Sequence, residues 1–133
     1  MVVGILALMA VVAMAVFSDV KAKSRDSRRL KDIRTLHEAL AMYLDSHKTY
    51  PLVVVSPPGI AVNGSDVVSA DLKNDGILKS NLSDPQAGQT IGGEVFNYYY
   101  YTDVQGKTYT ITFCLETTSI AGKVKGCGNR ESP

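Results

Sequence analysis

Residues Met1 to Phe17, MVVGILALMAVVAMAVF, carry no charged or polar side chain. They pass into a basic, amphipathic stretch, Lys21 to Leu44, with no Gly or Pro between the two. Nothing in that passage breaks a helix, so one long helix is predicted across both. Its first half is apolar on every side. The chain has 133 residues, and the roughly 110 beyond the run are too few to cover such a helix. The helix is expected to sit in lipid, or among other apolar helices, at one end and on a small domain at the other.

At 1.5 Å per residue, the seventeen apolar residues span about 26 Å, the lower limit for crossing a hydrocarbon layer. A cleavable secretory signal is the second reading. Ala13-Met14-Ala15 fits a small-residue cleavage site, and the mature chain would then begin near Val16. Against it, no basic residue precedes the run. A buried core helix of a soluble protein is the third reading, and the thin remainder of the chain argues against it.

The net charge of +1 argues against a general nucleic-acid binder. It is unevenly placed. Lys21, Lys23, Arg25, Arg28, Arg29, Lys31 and Arg34 are half of the fourteen basic residues. Beyond Glu38, seven basic residues face nine acidic ones. The cluster from Lys21 to Arg34 reads as facing lipid headgroups or a neighbouring subunit, with DNA as the weaker alternative. The positive-inside rule would place it in the cytoplasm, against an oxidising compartment for the rest. Upstream basic residues, or a cluster lying along outer headgroups, would remove that conflict.

Leu30, Ile33, Leu36, Leu40 and Tyr43 or Leu44 recur at helical spacing and predict a stripe packed on a sheet. The helix should end near His47, since Tyr50 precedes Pro51. Residues 51–92 are rich in turn signals: Pro57-Pro58-Gly59, Asn63-Gly64, Asp75-Gly76 and Asp84-Pro85. A short helix is expected from Val68 to Lys73, or on to Leu78. The period then changes to two. Val95 to Thr102 and Lys107 to Glu116 predict two strands joined by a turn at Asp103-Val104-Gln105-Gly106, with a third strand at Ser119 to Lys125. The expected layout is α+β: an apolar helix over 1–20, its basic amphipathic continuation over 21–50, and a loop with an antiparallel sheet over 51–133.

Cys114 and Cys127 are the two cysteines. An even count behind a membrane segment predicts a disulfide, worth roughly 3 kcal/mol for a loop of this size. Two free thiols in a reducing compartment are the alternative.

No active site is legible. His37 and His47 lie outside zinc-like spacing and read as packed or solvated. Asp71-Leu72-Lys73-Asn74-Asp75-Gly76 brushes the EF-hand pattern, but Lys73 takes a ligand position and no Glu closes the loop. Asn63-Gly64-Ser65 and Asn81-Leu82-Ser83 fit the glycosylation sequon, which often occurs by chance. The tyrosines 98–101 suit a strand alternating between core and subunit contact, with a stacking surface as the alternative.

In order and spacing, these segments resemble type IV pilins and the major pseudopilins of type II secretion. Lys23-Ser24-Arg25-Asp26-Ser27-Arg28-Arg29-Leu30 and Asp32-Ile33-Arg34 resemble that family's juxtamembrane segment. Ala39-Leu40-Ala41-Met42-Tyr43 and Thr49-Tyr50-Pro51 resemble its helix end. Leu82-Ser83-Asp84-Pro85 resembles the opening of its sheet. Tyr98 to Tyr101, Tyr109-Thr110-Ile111-Thr112 and Leu115-Glu116 resemble its tyrosine-rich hairpin. The resemblance implies a non-enzymatic filament subunit, held in the inner membrane and lifted out by an ATPase-driven platform. Its partners would be copies of itself, related minor subunits, the assembly platform and the lipid bilayer. Its head would be extracytoplasmic, and the assembled filament periplasmic or at the cell surface. Val3, Leu6, Ala7, Ala10, Val11 and Met14 would form the assembly helix, and Lys21, Lys23, Arg25, Arg28 and Arg29 the juxtamembrane segment. No cofactor is expected, although calcium-binding members of the family raise a site near Asp84 or Asp103 as one reading, beside a plain Asp turn.

The family is cut after a Gly by a prepilin peptidase, leaving an N-methylated aromatic residue with a Glu four positions on. This chain has no acidic residue before Asp19. Aligned on the basic segment, Met1 falls inside the family's mature helix, so a leader is expected upstream unless the chain is not processed. A Pro expected between Val12 and Ala15 is also absent, which should leave the helix straighter. The rival function is a single-pass membrane-anchored binding module, with the hairpin and the Cys114–Cys127 loop as its ligand surface.

Overall fold

The structure, a computed structural model, describes residues 2–133, apart from the side chains of residues 13–15. One helix, α1 (Val2–His47), opens the chain. Then follow β1 (Ile60–Val62), α2 (Val67–Asn74), β2 (Thr90–Ile91), β3 (Glu94–Val95), β4 (Tyr98–Thr102), β5 (Tyr109–Leu115) and β6 (Gly126–Glu131). The layout is α+β.

The main sheet has the order β1-β4-β5-β6 and every pairing is antiparallel. Tyr100 pairs with Ile111 on one side and with Ile60 on the other. The period-2 rule places Tyr98 and Tyr100 in the core and leaves Tyr99 and Tyr101 half-buried on the other face. Ile33, Leu36, Ala39 and Leu40 of α1 pack against this sheet with Val62, Val68, Leu72, Ile111, Phe113 and Leu115. Leu30, Tyr43 and Leu44 lie at the margin of the same core. The helical stripe therefore meets the sheet as its spacing predicts.

Three strand expectations are corrected. The expected strand at Ser119 to Lys125 is not formed. Those residues turn instead, with Lys123 N–H donating to the Ile120 carbonyl at 3.2 Å. The last strand comes later, at Gly126–Glu131. The expected strand from Val95 is split, because Glu94–Val95 pairs with Thr90–Ile91 as a separate hairpin. Strand β1 was not expected at all. It is three residues long and follows Gly59, at φ +103°. A Cβ on Gly59 would lie 2.3 Å from the Tyr100 carbonyl oxygen, so only glycine lets the chain pass this close to β4.

Helix α2 spans one residue more at each end than the shorter expectation. Asp66 is its N-cap and accepts from Ser69 N–H at 2.9 Å. The same carboxylate accepts from Asn63 and Gly64 N–H, at 2.9 and 3.1 Å, and so closes the Asn63-Gly64 turn onto the helix. These hydrogen bonds outweigh the effect of burial, and the Asp66 pKa is lowered.

Candidate assembly helix and its junction with the head

Helix α1 has two environments. From Val2 to Lys21, every residue with a described side chain is exposed. The large apolar ones range from 55% exposure at Val20 to 80% at Val3. At 1.5 Å per residue this free segment is about 30 Å long, the thickness of a bilayer's hydrocarbon. The helix is long and apolar enough to cross a membrane there, and none of its most apolar window is buried. Val3, Leu6, Ala7, Ala10 and Val11 all lie on this free half. Met14 and the Ala13-Met14-Ala15 motif lie outside the described side chains.

The second environment begins at Ala22, which is half-buried. Four residues on, the helix makes a buried polar junction with the head. Arg29 is wholly buried. Its Nε and Nη2 donate to the two Asp84 carboxylate oxygens at 2.7 and 3.0 Å. Nη1 donates to Asp26 at 2.8 Å and to Glu116 at 2.7 Å, and Nη2 also donates to Gln86 at 3.0 Å. A guanidinium has five N–H donors, and all five are used. The Phe96 ring lies 4.8 Å from the guanidinium carbon, adding a cation–π contact.

Asp26 is also wholly buried and serves both neighbours. Its Oδ1 accepts from Glu116 N–H at 2.9 Å, and its Oδ2 accepts from Thr117 N–H and Oγ1, both at 2.8 Å. Those two amides leave the end of β5, so one helix carboxylate takes up the strand's terminal donors. Arg25 grips Glu116 from outside: its Nε donates to Oε1 at 2.7 Å and its Nη2 to Oε2. The helix is thus joined to β5 and to the Asp84-Pro85-Gln86 turn by two arginines and three carboxylates.

The electrostatics follow from the geometry. Burial alone would lower the Arg29 pKa, but hydrogen bonds with Asp84 and Glu116 outweigh it, and the pKa is raised. Burial likewise opposes the charge on Glu116, and the hydrogen bonds from Arg25 and Arg29 overcome it, so its pKa is lowered. Arg25 is raised by its hydrogen bond with Glu116.

This corrects the expectation for the basic segment. Arg29 turns inward and is wholly buried, and the part-exposed Arg25 pairs with Glu116, because the head supplies carboxylates for them. Arg28 is exposed and lies 3.7 Å from Asp32. Lys23 pairs with Asp19 at 2.8 Å, and Lys21 is exposed. The signal was present in the sequence: Asp26 and Arg29 continue the stripe of Ile33, Leu36 and Leu40 at alternating spacings of three and four. The partners Asp84, Gln86 and Glu116 had no such signal, being 55 or more positions away.

Hydrogen bonds engage both aspartates raised for calcium. Both Asp84 oxygens are held by Arg29, and Oδ1 also accepts from Gln86 N–H at 2.7 Å. Asp103 Oδ1 accepts from Lys107 and Thr108 N–H at 2.7 and 3.0 Å, closing the β4–β5 turn. Those bonds, led by the one from Thr108, lower its pKa. Among the described residues, no group of three acidic, His or Cys side chains is placed to hold a metal.

Cys114 and Cys127 form a disulfide that joins β5 to β6. Cys127 N–H donates to Glu94 at 3.0 Å, so the small β2–β3 hairpin is tied to the bridged edge. His37 is half-buried and hydrogen-bonded to the Tyr109 hydroxyl. His47 stacks on Tyr43, with ring centroids 4.0 Å apart, and lies 3.3 Å from Asp75. His37 thus joins the helix to β5, while His47 caps the exposed end of α1 beside α2.

Compared with known proteins, the chain matches no family model, no curated protein and no solved structure.

Proposed function

We propose that the chain is a structural subunit of a type IV pilus-like filament, a pilin or a type II secretion pseudopilin. One observation carries this reading. A single unbroken helix leaves every described side chain of its apolar half exposed while its other half is pinned to a small head. A surface of that kind needs lipid or other helices around it. A membrane anchor alone would use the first option; a filament uses both in turn. Small residues among the large ones, Gly4, Ala7 and Ala10, permit close approach of neighbouring helices. Burial of such a surface away from water is worth about 25 cal/mol per Å². Transfer from lipid gains less, so the fit of helix on helix decides the cohesion.

In this reading, the monomer rests in the inner membrane, a platform extracts it, and the head forms the filament's outside. The Arg29 junction carries force between helix and head. The partners are copies of the chain, related minor subunits and the platform, and a prepilin peptidase if a leader stands upstream. The test is to shear filaments from cells expressing the chain with its assembly machinery and to probe them for this subunit. Filaments containing it are expected. Recovery only as a membrane-bound monomer would favour the anchored binding module.

A further inference from the structure

The underside of the head meets the helix where the apolar run ends. The run stops at Phe17, and α1 is already against the head at Ala22. Five residues of helix rise about 7.5 Å. The headgroup layer on each side of a bilayer is about 5–7 Å deep. No stalk separates the head from the lipid, so this surface must lie at headgroup depth whenever the run lies in hydrocarbon.

What surrounds the exit suits that depth. A cleft of about 440 Å³ is formed by Asp19 and Lys23 of α1, the loop 116–119 and Lys125. Lys21 and Lys125 are exposed, and neither makes a salt bridge among the described residues. The nearby carboxylates are committed elsewhere: Glu116 to Arg25 and Arg29, Asp19 to Lys23, Glu94 to the Cys127 amide. Val20 and Val124 are each 55% exposed beside these lysines. Apolar side chains next to ammonium groups are the composition of an interfacial surface.

We propose that this underside, residues 117–119 and 124–125 with Lys21, seats on the phosphate-bearing headgroup layer of a phospholipid bilayer. The inference rests on the reading of the apolar run as a membrane span. Lysine ammonium groups meet lipid phosphates, and Val20 and Val124 enter the acyl boundary. The monomer is thereby held upright before assembly, and extraction must break this contact as well as remove the helix.

The chain has no Trp, so single Trp substitutions are clean depth probes. The full chain is reconstituted in phosphatidylcholine–phosphatidylglycerol vesicles containing lipids brominated near the headgroup or deep in the chain. Leu8→Trp reports the span and Val124→Trp the underside. Val104→Trp reports the β4–β5 turn, which contacts Lys48 about 38 Å along the helix from Ala22. Deep bromines should quench the fluorescence of the Leu8→Trp variant. Shallow bromines should quench the Val124→Trp variant at least about twofold more than the Val104→Trp variant. Lys21→Gln and Lys125→Gln should each weaken that seating about fivefold. Equal quenching of the underside and turn probes, with the span probe still quenched, overturns the seating and leaves the span intact. An unquenched span probe overturns both.

Discussion

Arg29 and Asp84, 55 positions apart, form a two-pronged ion pair in which neither side chain has any exposed surface. A surface pair of this kind would contribute little. A buried one is costly to break from one side, because the abandoned charge stays in the interior. The pair therefore adds to the attachment made by the Ile33, Leu36, Ala39 and Leu40 stripe, by what its loss would strand.

Arg29→Ala leaves Asp26, Asp84 and Glu116 without their shared cation. The expected loss is about 3–5 kcal/mol of head stability. Arg29→Lys should retain part of it, since one ammonium cannot replace five donors in a planar fork. Denaturant unfolding of the full chain in detergent, followed by tyrosine near-UV circular dichroism, measures both. Equal stability of wild type and Arg29→Ala would show that the junction is not a fastening.

The pH dependence has a definite sign. Glu116 has a folded pKa below its ordinary value of 4.5. The unfolded chain therefore takes up a proton there before the folded chain does. The stability Glu116 contributes is complete above the ordinary value and is lost as pH falls through the lowered one. Asp66 acts in the same direction. Wild-type stability measured from pH 7 to pH 3 should fall in that acid window. Glu116→Gln should be less stable at pH 7 and show a shallower fall; an unchanged slope would assign the acid loss to other groups.

Ala10→Asp places a carboxylate in the middle of the free helix half. At the centre of a membrane an Asp costs about 2.5–3.5 kcal/mol on the insertion scale. Filament formation should be blocked while the head keeps its thermal transition, because Ala10 touches nothing in the head. Normal filaments from this variant would remove the helix-packing basis of assembly.

Replacing Cys114 and Cys127 together by Ala should cost roughly 3 kcal/mol under non-reducing conditions, by release of the loop in the unfolded chain. Wild type under strong reductant should approach the same value. A variant as stable as wild type would mean that the β5–β6 pairing and the Glu94 tie suffice without the bridge.

The long helix, its stripe and the tyrosine hairpin were legible because each rests on a local period. Tyr98 and Tyr100 alternate with Tyr99 and Tyr101 just as a half-buried strand requires. Strand β6 was illegible for the opposite reason. Its sequence, GCGNRE, has almost no strand propensity; pairing with β5 and the bridge to Cys114 form it. Asn129 assists, its side chain bonding Val124 N–H and both the Val124 and Gly126 carbonyls. The junction was half-legible. The stripe positions of Asp26 and Arg29 marked a buried face, but the charge of the segment argued for water. What decided the matter was the arrival of Asp84 and Glu116, which no local pattern announces.

Because α1 is unbroken and its grip on the head leaves Arg29 no spare donor, the head cannot swivel on its own shaft. Its compass bearing is written in residue count. One residue inserted between Val20 and Arg25 would turn the head about 100° around the helix axis and raise it about 1.5 Å. In the proposed filament, the way neighbouring helices mesh would thus be copied outward, degree for degree, into the facing of every head.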